Sequence, residues 1–349
     1  MTISAPPPPG TRIPWIETPL VSNVFLKLEN LQPAASFKSR GIGNFVLSKL
    51  AAATAAAQAG AAAAPGGAPP RPHFYCSSGG NAGLACVHAA VTLGCDATVV
   101  VPLSTPDSTV GKLRQAGAAR VLRLGASWQE ADDYLTQTLM ADARAAGQAP
   151  VYVPPFDAPE VWDGNAGIVR EIARQLPLLR EPAPRLDAVV CSVGGGGLLC
   201  GIVQGLDELG LSRTKVVAVE TEGADSLAQA VAAGGLVTLP CISSLATSLG
   251  ARRVCQQALD YAARGSVANL VLSDAEAAAA CRRFLDEERL LVELACAVCP
   301  AVCYAGKLAD AVPGLTEDSV VVVVVCGGSN VSWDMVAKYV ADEADAAQT

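Results

Sequence analysis

Histidine is nearly absent from this chain: its 349 residues include two, His73 and His88. That scarcity excludes Ser-His-Asp and Cys-His nucleophile systems, each of which needs an imidazole beside its nucleophile. His73 sits just before a strand and His88 within an alanine-rich helix, so both read as structural. Charge is sparse as well, with 17% charged residues and a net charge of −8. No basic stripe exists to neutralise phosphates, which argues against a nucleic-acid partner. No apolar run approaches membrane-spanning length; the longest, Val320 to Val325, is strand-sized. The amino terminus, Met1-Thr2-Ile3-Ser4 and then Pro6 to Pro9, has neither the basic nor the apolar region of a signal peptide. A cytoplasmic protein with no membrane partner is expected.

What the chain does have is apolar residues, 51% of the total, and twelve cysteines. A chain of 349 residues can bury a real core and make two domains. The cysteines lie singly in apolar segments and read as reduced, buried small side chains. Cys296, Cys299 and Cys303 share one face of a helix, with Cys281 the nearby fourth thiol a metal would want. Alanine and valine surround them, which favours packing over a metal site.

Strand and helix patterns alternate along the chain, implying parallel sheets with right-handed crossovers. Strands are expected near Val24–Glu29, His73–Cys76, Ala97–Val101, Arg120–Leu124, Val151–Val153, Ala188–Ser192, Lys215–Glu220 and Val320–Val325. Helices are expected near 41–57, up to Ala90, 105–116, 127–146, 162–175, 199–208, 274–288 and 295–310. Residues 51–72 read as an Ala-, Gly- and Pro-rich loop. Val151 opens a second series, so residues 1–34 with 150–349 form an expected large domain and 35–149 a small one. Val320–Val325, apolar on both faces, is expected to be a central strand.

Four stretches along this pattern carry chemistry. In Ser36-Phe37-Lys38-Ser39-Arg40-Gly41 a lysine follows an aromatic at the mouth of a helix, where the helix dipole disfavours it. Partial burial and the positive helix end would both lower its pKa toward a usable Schiff-base amine. Ser77-Ser78-Gly79-Gly80-Asn81-Ala82-Gly83 and Val193-Gly194-Gly195-Gly196-Gly197-Leu198 each join a strand to a helix start, where backbone N–H groups can hold an anion. Neither has the spacing of a dinucleotide fingerprint or the Lys-Ser/Thr end of a nucleotide P-loop. A single phosphate fits better. Cys326-Gly327-Gly328-Ser329-Asn330 leaves the carboxyl end of the Val320 strand, where ligands bind in open α/β sheets. An amine, an anion cradle and a polar strand end together suit pyridoxal phosphate.

These stretches, with Glu220-Thr221-Glu222-Gly223-Ala224-Asp225-Ser226 and Val292-Glu293, resemble the L-serine/threonine dehydratases of the catabolic, liver type. That family belongs to the tryptophan-synthase-β-like, fold type II pyridoxal phosphate enzymes. The similarity runs in order over roughly residues 14–335. It implies an α/β protein of two open parallel-sheet domains, active as a homodimer on a small amino-acid substrate. It further implies that Lys38 carries the cofactor and acts as general base, and that Phe37 lies against the ring. Asn81 would bond the ring 3-oxygen. Gly194, Gly195, Gly196, Gly197 and Leu198 would bind the phosphate, and Cys326 would face the ring nitrogen. Ser78, Gly79, Asn81 and Ala82 would hold the substrate carboxylate, with Ser248 opposite the ring. A potassium-type cation would take Glu220, Ser226 and carbonyls of Gly194, Ala224, Leu249 and Ala251.

Gly79 and Ser248 stand where the liver-type enzymes often carry alanine, which bears on the substrate. Gly79 either leaves room for threonine or a larger β-substituent, or only relaxes a tight turn. No regulatory domain is expected beyond residue 349, which would set the chain apart from the feedback-controlled threonine deaminases. Serine racemase, threonine synthase and cysteine synthase are neighbouring activities, and a catalytically silent phosphate-ligand binding protein is the reading from another class.

Overall fold

The computed structural model describes residues 12–18, 20–21, 24–61, 71–179 and 185–346. The chain divides into two compact units, Met1–Ile16 with Lys38–Gly164 and Glu17–Phe37 with Asn165–Thr349. One division falls at the peptide bond joining Phe37 to Lys38.

In chain order, β1 (Leu20–Val21) and β2 (Phe25–Lys27) belong to the second unit and α1 (Lys38–Ala61) opens the first. Helix α1 therefore begins at the lysine itself and continues through much of the expected 51–72 loop. Alanine, the strongest helix former, fills residues 51–57 save Thr54, and the glycine at 60 comes only at the end. The rest of that loop, 62–70, and the arm before residue 12 lie outside the described residues.

The first unit then runs β3 (Pro72–Cys76), α2 (Asn81–Thr92), β4 (Asp96–Val101), α3 (Asp107–Gln115) and β5 (Arg120–Arg123). A helical stretch follows: α4 (Trp128–Asp133), a π-helical turn over Tyr134–Leu139, and α5 (Met140–Ala145). The wide turn has a packing consequence. Ala131 and Leu135 stand four apart and Met140 follows five later, yet all pack with Tyr75 and Val100 in one core cluster. β6 (Ala149–Tyr152) completes a sheet of order β5-β4-β3-β6, parallel throughout. Because β6 pairs with β3, the segment expected to open the large domain at 150 closes the first unit instead.

Helix α6 (Pro159–Leu179) leads into β7 (Leu186–Ser192), α7 (Gly197–Glu208), β8 (Lys215–Thr221), α8 (Ser226–Ala233), α9 (Gln256–Ala262) and β9 (Val267–Leu272). Then come α10 (Asp274–Glu288), α11 (Leu294–Tyr304), α12 (Leu308–Ala311), β10 (Val320–Val324) and α13 (Trp333–Ala346). The second sheet has the order β1-β2-β10-β7-β8-β9, parallel except for the antiparallel edge pair β1–β2. β10 is buried along its whole length between β2 and β7, as its two apolar faces require. The expected single helix 295–310 breaks after Tyr304, where Gly306 takes a left-handed φ of +69°.

All cysteines are free thiols, and all but Cys241 and Cys303 are buried. Among the described residues no group of three or more His, Cys, Asp or Glu side chains is placed to hold a metal ion. Burial pushes Cys281 and Cys303 up to about 11 and Cys296 and Cys299 further, so these sulfurs stay protonated thiols.

Candidate active site

In the first unit, Lys38 is the first residue of α1, half-buried, and its Nζ donates to the carbonyl of Pro155. Its positive charge reaches Cys76, the last residue of β3. A hydrogen bond with Cys86 holds the Cys76 thiol below its ordinary value, and Lys38 adds in the same direction. From Cys76 the chain passes into Ser77–Gly80, and α2 starts at Asn81 with no side chain capping its N-terminus among the described residues. The turn is tight: a Cβ on Gly83 would lie 1.8 Å from the Ser78 carbonyl oxygen, so no other residue admits this path. A Cβ on Gly79 would meet Val101 Cγ1 at 3.0 Å and the Thr105 and Thr109 methyls at 3.4 Å. The space missing a methyl there faces the unit's own interior.

In the second unit, β7 ends at Ser192 and α7 begins at Gly197, again without a side-chain cap among the described residues. Gly196 has φ +95°, and a Cβ on it would lie 2.4 Å from Ala258 Cβ and 3.1 Å from Cys255 Sγ. The Cys255 N–H donates to the Gly195 carbonyl at 3.0 Å, so α9 and its leading residue support the loop from behind. The Asn165 amide, buried on α6, donates to the Gly197 carbonyl at 2.9 Å. Leu198 is buried beneath the first turn of α7.

Cys326 follows β10 on the strand adjacent to β7, and its Sγ lies 3.4 Å from Ser192 Oγ. The Phe37 N–H donates to the Cys326 carbonyl at 3.1 Å, which brings the aromatic preceding Lys38 to the thiol's own peptide. Glu293, 4% exposed, accepts the Asn330 N–H at 2.7 Å and fills the space beside Gly328. Phe37, the Gly194–Leu198 loop and Cys326 thus belong to one constellation of the second unit, while Lys38, Ser78, Gly79, Asn81 and Ala82 belong to the first.

The residues expected to hold a cation also lie in the second unit. Glu220 and Ser226 are fully buried, and Ser226 Oγ has no hydrogen-bond partner among the described residues. Glu220 accepts the N–H groups of Leu227 and Ala228, each at 2.8 Å, which caps α8, and the Asn269 amide at 3.2 Å. Burial raises its carboxyl from 4.5 to about 7, against the pull of those hydrogen bonds. A Cβ on Gly194 would touch Leu249 Cα at 3.2 Å, so those two backbones meet. Ala224 is buried, Ala251 half-buried and Ser248 exposed.

The family model described as pyridoxal-phosphate dependent enzyme matches residues 6–327. The L-serine dehydratase/L-threonine deaminase of Homo sapiens is 41% identical over 321 residues, covering 89% of this chain and 87% of that protein. A serine dehydratase-like protein of Rattus norvegicus is 43% identical over 315 residues, covering 88% and 86%. The crystal structure of a fungal L-serine ammonia-lyase from Rhizomucor miehei superposes with a TM-score of 0.82 at 30% identity, covering 95% of this chain and 99% of that one.

Proposed function

This chain belongs to the pyridoxal-phosphate dependent enzymes, and we propose that it is an ammonia-lyase converting L-serine, L-threonine or a related β-hydroxy amino acid to an α-keto acid and ammonia. The observation that carries the reading is the constellation at the ends of β7 and β10. A glycine loop with no side-chain cap among the described residues opens beside the Cys326 thiol, and the Cys326 carbonyl accepts from the residue before the lysine.

The residues fit the cofactor. The crowding behind Gly194 and Gly196 leaves no room for side chains on the loop, so only backbone presents toward a phosphate. Cys326 offers a thiol to a ring nitrogen, and Lys38 offers a primary amine to the cofactor's carbonyl carbon. Pyridoxal phosphate supplies, when bound, a conjugated ring that accepts the electron pair left on the substrate's α-carbon.

The chain's own groups do the rest. The N–H groups of Gly194–Leu198 and the dipole of α7 hold the phosphate. Asn81 would bond the ring 3-oxygen, and Phe37 would lie against the ring. The Ser78–Ala82 turn receives the substrate carboxylate at the start of α2. Lys38 Nζ is the amine that would take the proton from the substrate's α-carbon. Cys326 would offer the ring nitrogen a thiol rather than a carboxylate, which would hold that nitrogen protonated less well and favour expelling the β-hydroxyl over slower routes. Water leaves across the Cα–Cβ bond; the released enamine becomes an imine, and its hydrolysis gives keto acid and ammonia.

The finer features belong to the same proposal. A potassium-type cation at Glu220 and Ser226 is supported by the buried Ser226 hydroxyl, which has no hydrogen-bond partner among the described residues. Cytoplasmic residence is supported by the thiols, none of which is paired in a disulfide. The homodimer rests on the resemblance to the dehydratase family.

The test is a panel of L-serine, L-threonine and bulkier β-hydroxy amino acids, with keto acid, ammonia and D-serine all measured. Keto acid and ammonia in equal amounts support the proposal. D-serine without keto acid would make the protein a racemase, and a bound cofactor with no product a silent binding protein.

A further inference from the structure

Asp132 lies outside every motif named above, yet its Oδ1 accepts two hydrogen bonds, from Ser77 Oγ at 2.6 Å and from Tyr152 OH at 2.8 Å. Ser77 is 2% exposed and is the first residue of the turn that runs to Asn81. Tyr152 ends β6 and pairs in register with Tyr75 on β3. Side chains alternate along a strand, so Tyr75, Ser77 and Tyr152 lie on one face of the sheet, the face α4 covers. Beside Asp132 on that face, Ala131, Leu135, Tyr75 and Val100 pack together. One carboxylate thus closes the top of this layer, bonded to the two strand ends that flank the turn. Burial, with the Asp132 charge adding to it, raises the Tyr152 phenol well above its ordinary value, so the phenol remains a donor at any working pH.

The helix carrying Asp132 is fixed in turn. Thr136 Oγ1 donates to the Asp132 carbonyl at 2.8 Å, at the start of the π-helical turn that keeps Leu135 and Met140 in the same core cluster. Two sides of the unit's core therefore set the position of Oδ1, and Oδ1 sets the position of Ser77.

We infer that Asp132 is the positioning residue of the substrate-carboxylate turn, acting through Ser77 with Tyr152 as its second anchor. This inference rests on the proposed dehydratase activity for its kinetic consequence, though not for its structural one. A turn whose N–H groups must converge on a carboxylate loses affinity when its first residue is released, even though no residue touching the substrate has changed.

The experiment compares Asp132→Ala, Asp132→Asn, Ser77→Ala, Tyr152→Phe and the double variant Ser77→Ala/Asp132→Ala as holoenzymes. Asp132→Ala is expected to raise KM for L-serine on the order of tenfold, with a smaller change in kcat. Asp132→Asn keeps an acceptor oxygen and is expected to restore most of the loss. The double variant is expected to be no worse than the more affected single one, because both remove the same link. Hydrogen exchange adds a readout independent of turnover: amides 78–80 should exchange faster in Asp132→Ala and Tyr152→Phe, with the remaining strands of the sheet unchanged. Unaltered exchange at 78–80 in Tyr152→Phe and in any folded Asp132 variant overturns the inference, as does an Asp132→Asn variant no better than alanine. If the parent makes no keto acid, the dehydratase proposal fails by itself, and the exchange data still decide the role of Asp132.

Discussion

Ser192 Oγ and Cys326 Sγ stand 3.4 Å apart at the ends of two adjacent strands, so the thiol proposed to meet the ring nitrogen and the root of the proposed phosphate loop are one packed unit. The surroundings of the thiol are apolar and rich in other thiols, among them Cys296, which hydrogen-bonds Cys326. Cys326→Ser keeps a neutral hydrogen-bonding group of similar size and should lower kcat less than about tenfold. Cys326→Asp puts a carboxylate into a buried site where the Ser192 hydroxyl is a neutral neighbour at hydrogen-bonding distance. It should lower the melting temperature and reduce elimination by a further order of magnitude or more. Steady-state kinetics and thermal melts on the two variants check this; an aspartate variant as active as the parent would remove the neutral thiol from the account.

Glu220 links pH to stability. Its carboxyl is raised from 4.5 to about 7, so the folded state prefers it protonated. That preference is fully present below the unfolded value and is lost as pH rises through the folded one, a swing on the order of 3 kcal/mol. In buffers of bulky organic cations the melting temperature should therefore fall between about pH 5 and pH 8. A bound potassium ion favours the carboxylate, so its stabilising effect should be larger at the higher pH. Glu220→Gln should flatten both dependences. An equal response to potassium at both pH values would count against the cation.

Gly79 was open to two readings in the sequence, and the geometry separates them. Its absent methyl would meet Val101 Cγ1 at 3.0 Å, inside the unit, rather than open space. Gly79→Ala should accordingly displace the turn and lower kcat/KM for serine and threonine by similar factors. A change of about tenfold or more in the threonine-to-serine ratio would restore the pocket explanation, since one methylene in a pocket is worth roughly 1–3 kcal/mol.

Much of this was legible from residues alone because local rules govern it. The run of valines at 320–324 could only be an interior strand, and it is one. The glycine turns before α2 and α7 announced themselves by composition. What stayed hidden depends on partners far apart in sequence. Lys27 and Glu171, buried together as an ion pair 144 residues apart, show no pattern in either neighbourhood. The Ser77–Asp132 bond spans 55 residues and has none either. Pairing with β3 decides which sheet Ala149–Tyr152 joins, and a short apolar strand does not announce its neighbour. β9 (Val267–Leu272) likewise gives no strong signal: it is half-buried over most of its length, an edge strand without a fully apolar run.

The central claim is that Lys38 both carries the cofactor and moves the α-proton, and replacing that one amine tests it most directly. Lys38→Ala, purified and supplied with pyridoxal phosphate, should fold as the parent does, since Lys38 is half-buried at the first position of α1. The account predicts no keto acid from L-serine above the uncatalysed background, together with loss of the visible absorbance of the lysine-linked cofactor. Keto-acid production by Lys38→Ala at a substantial fraction of the parent rate would contradict it.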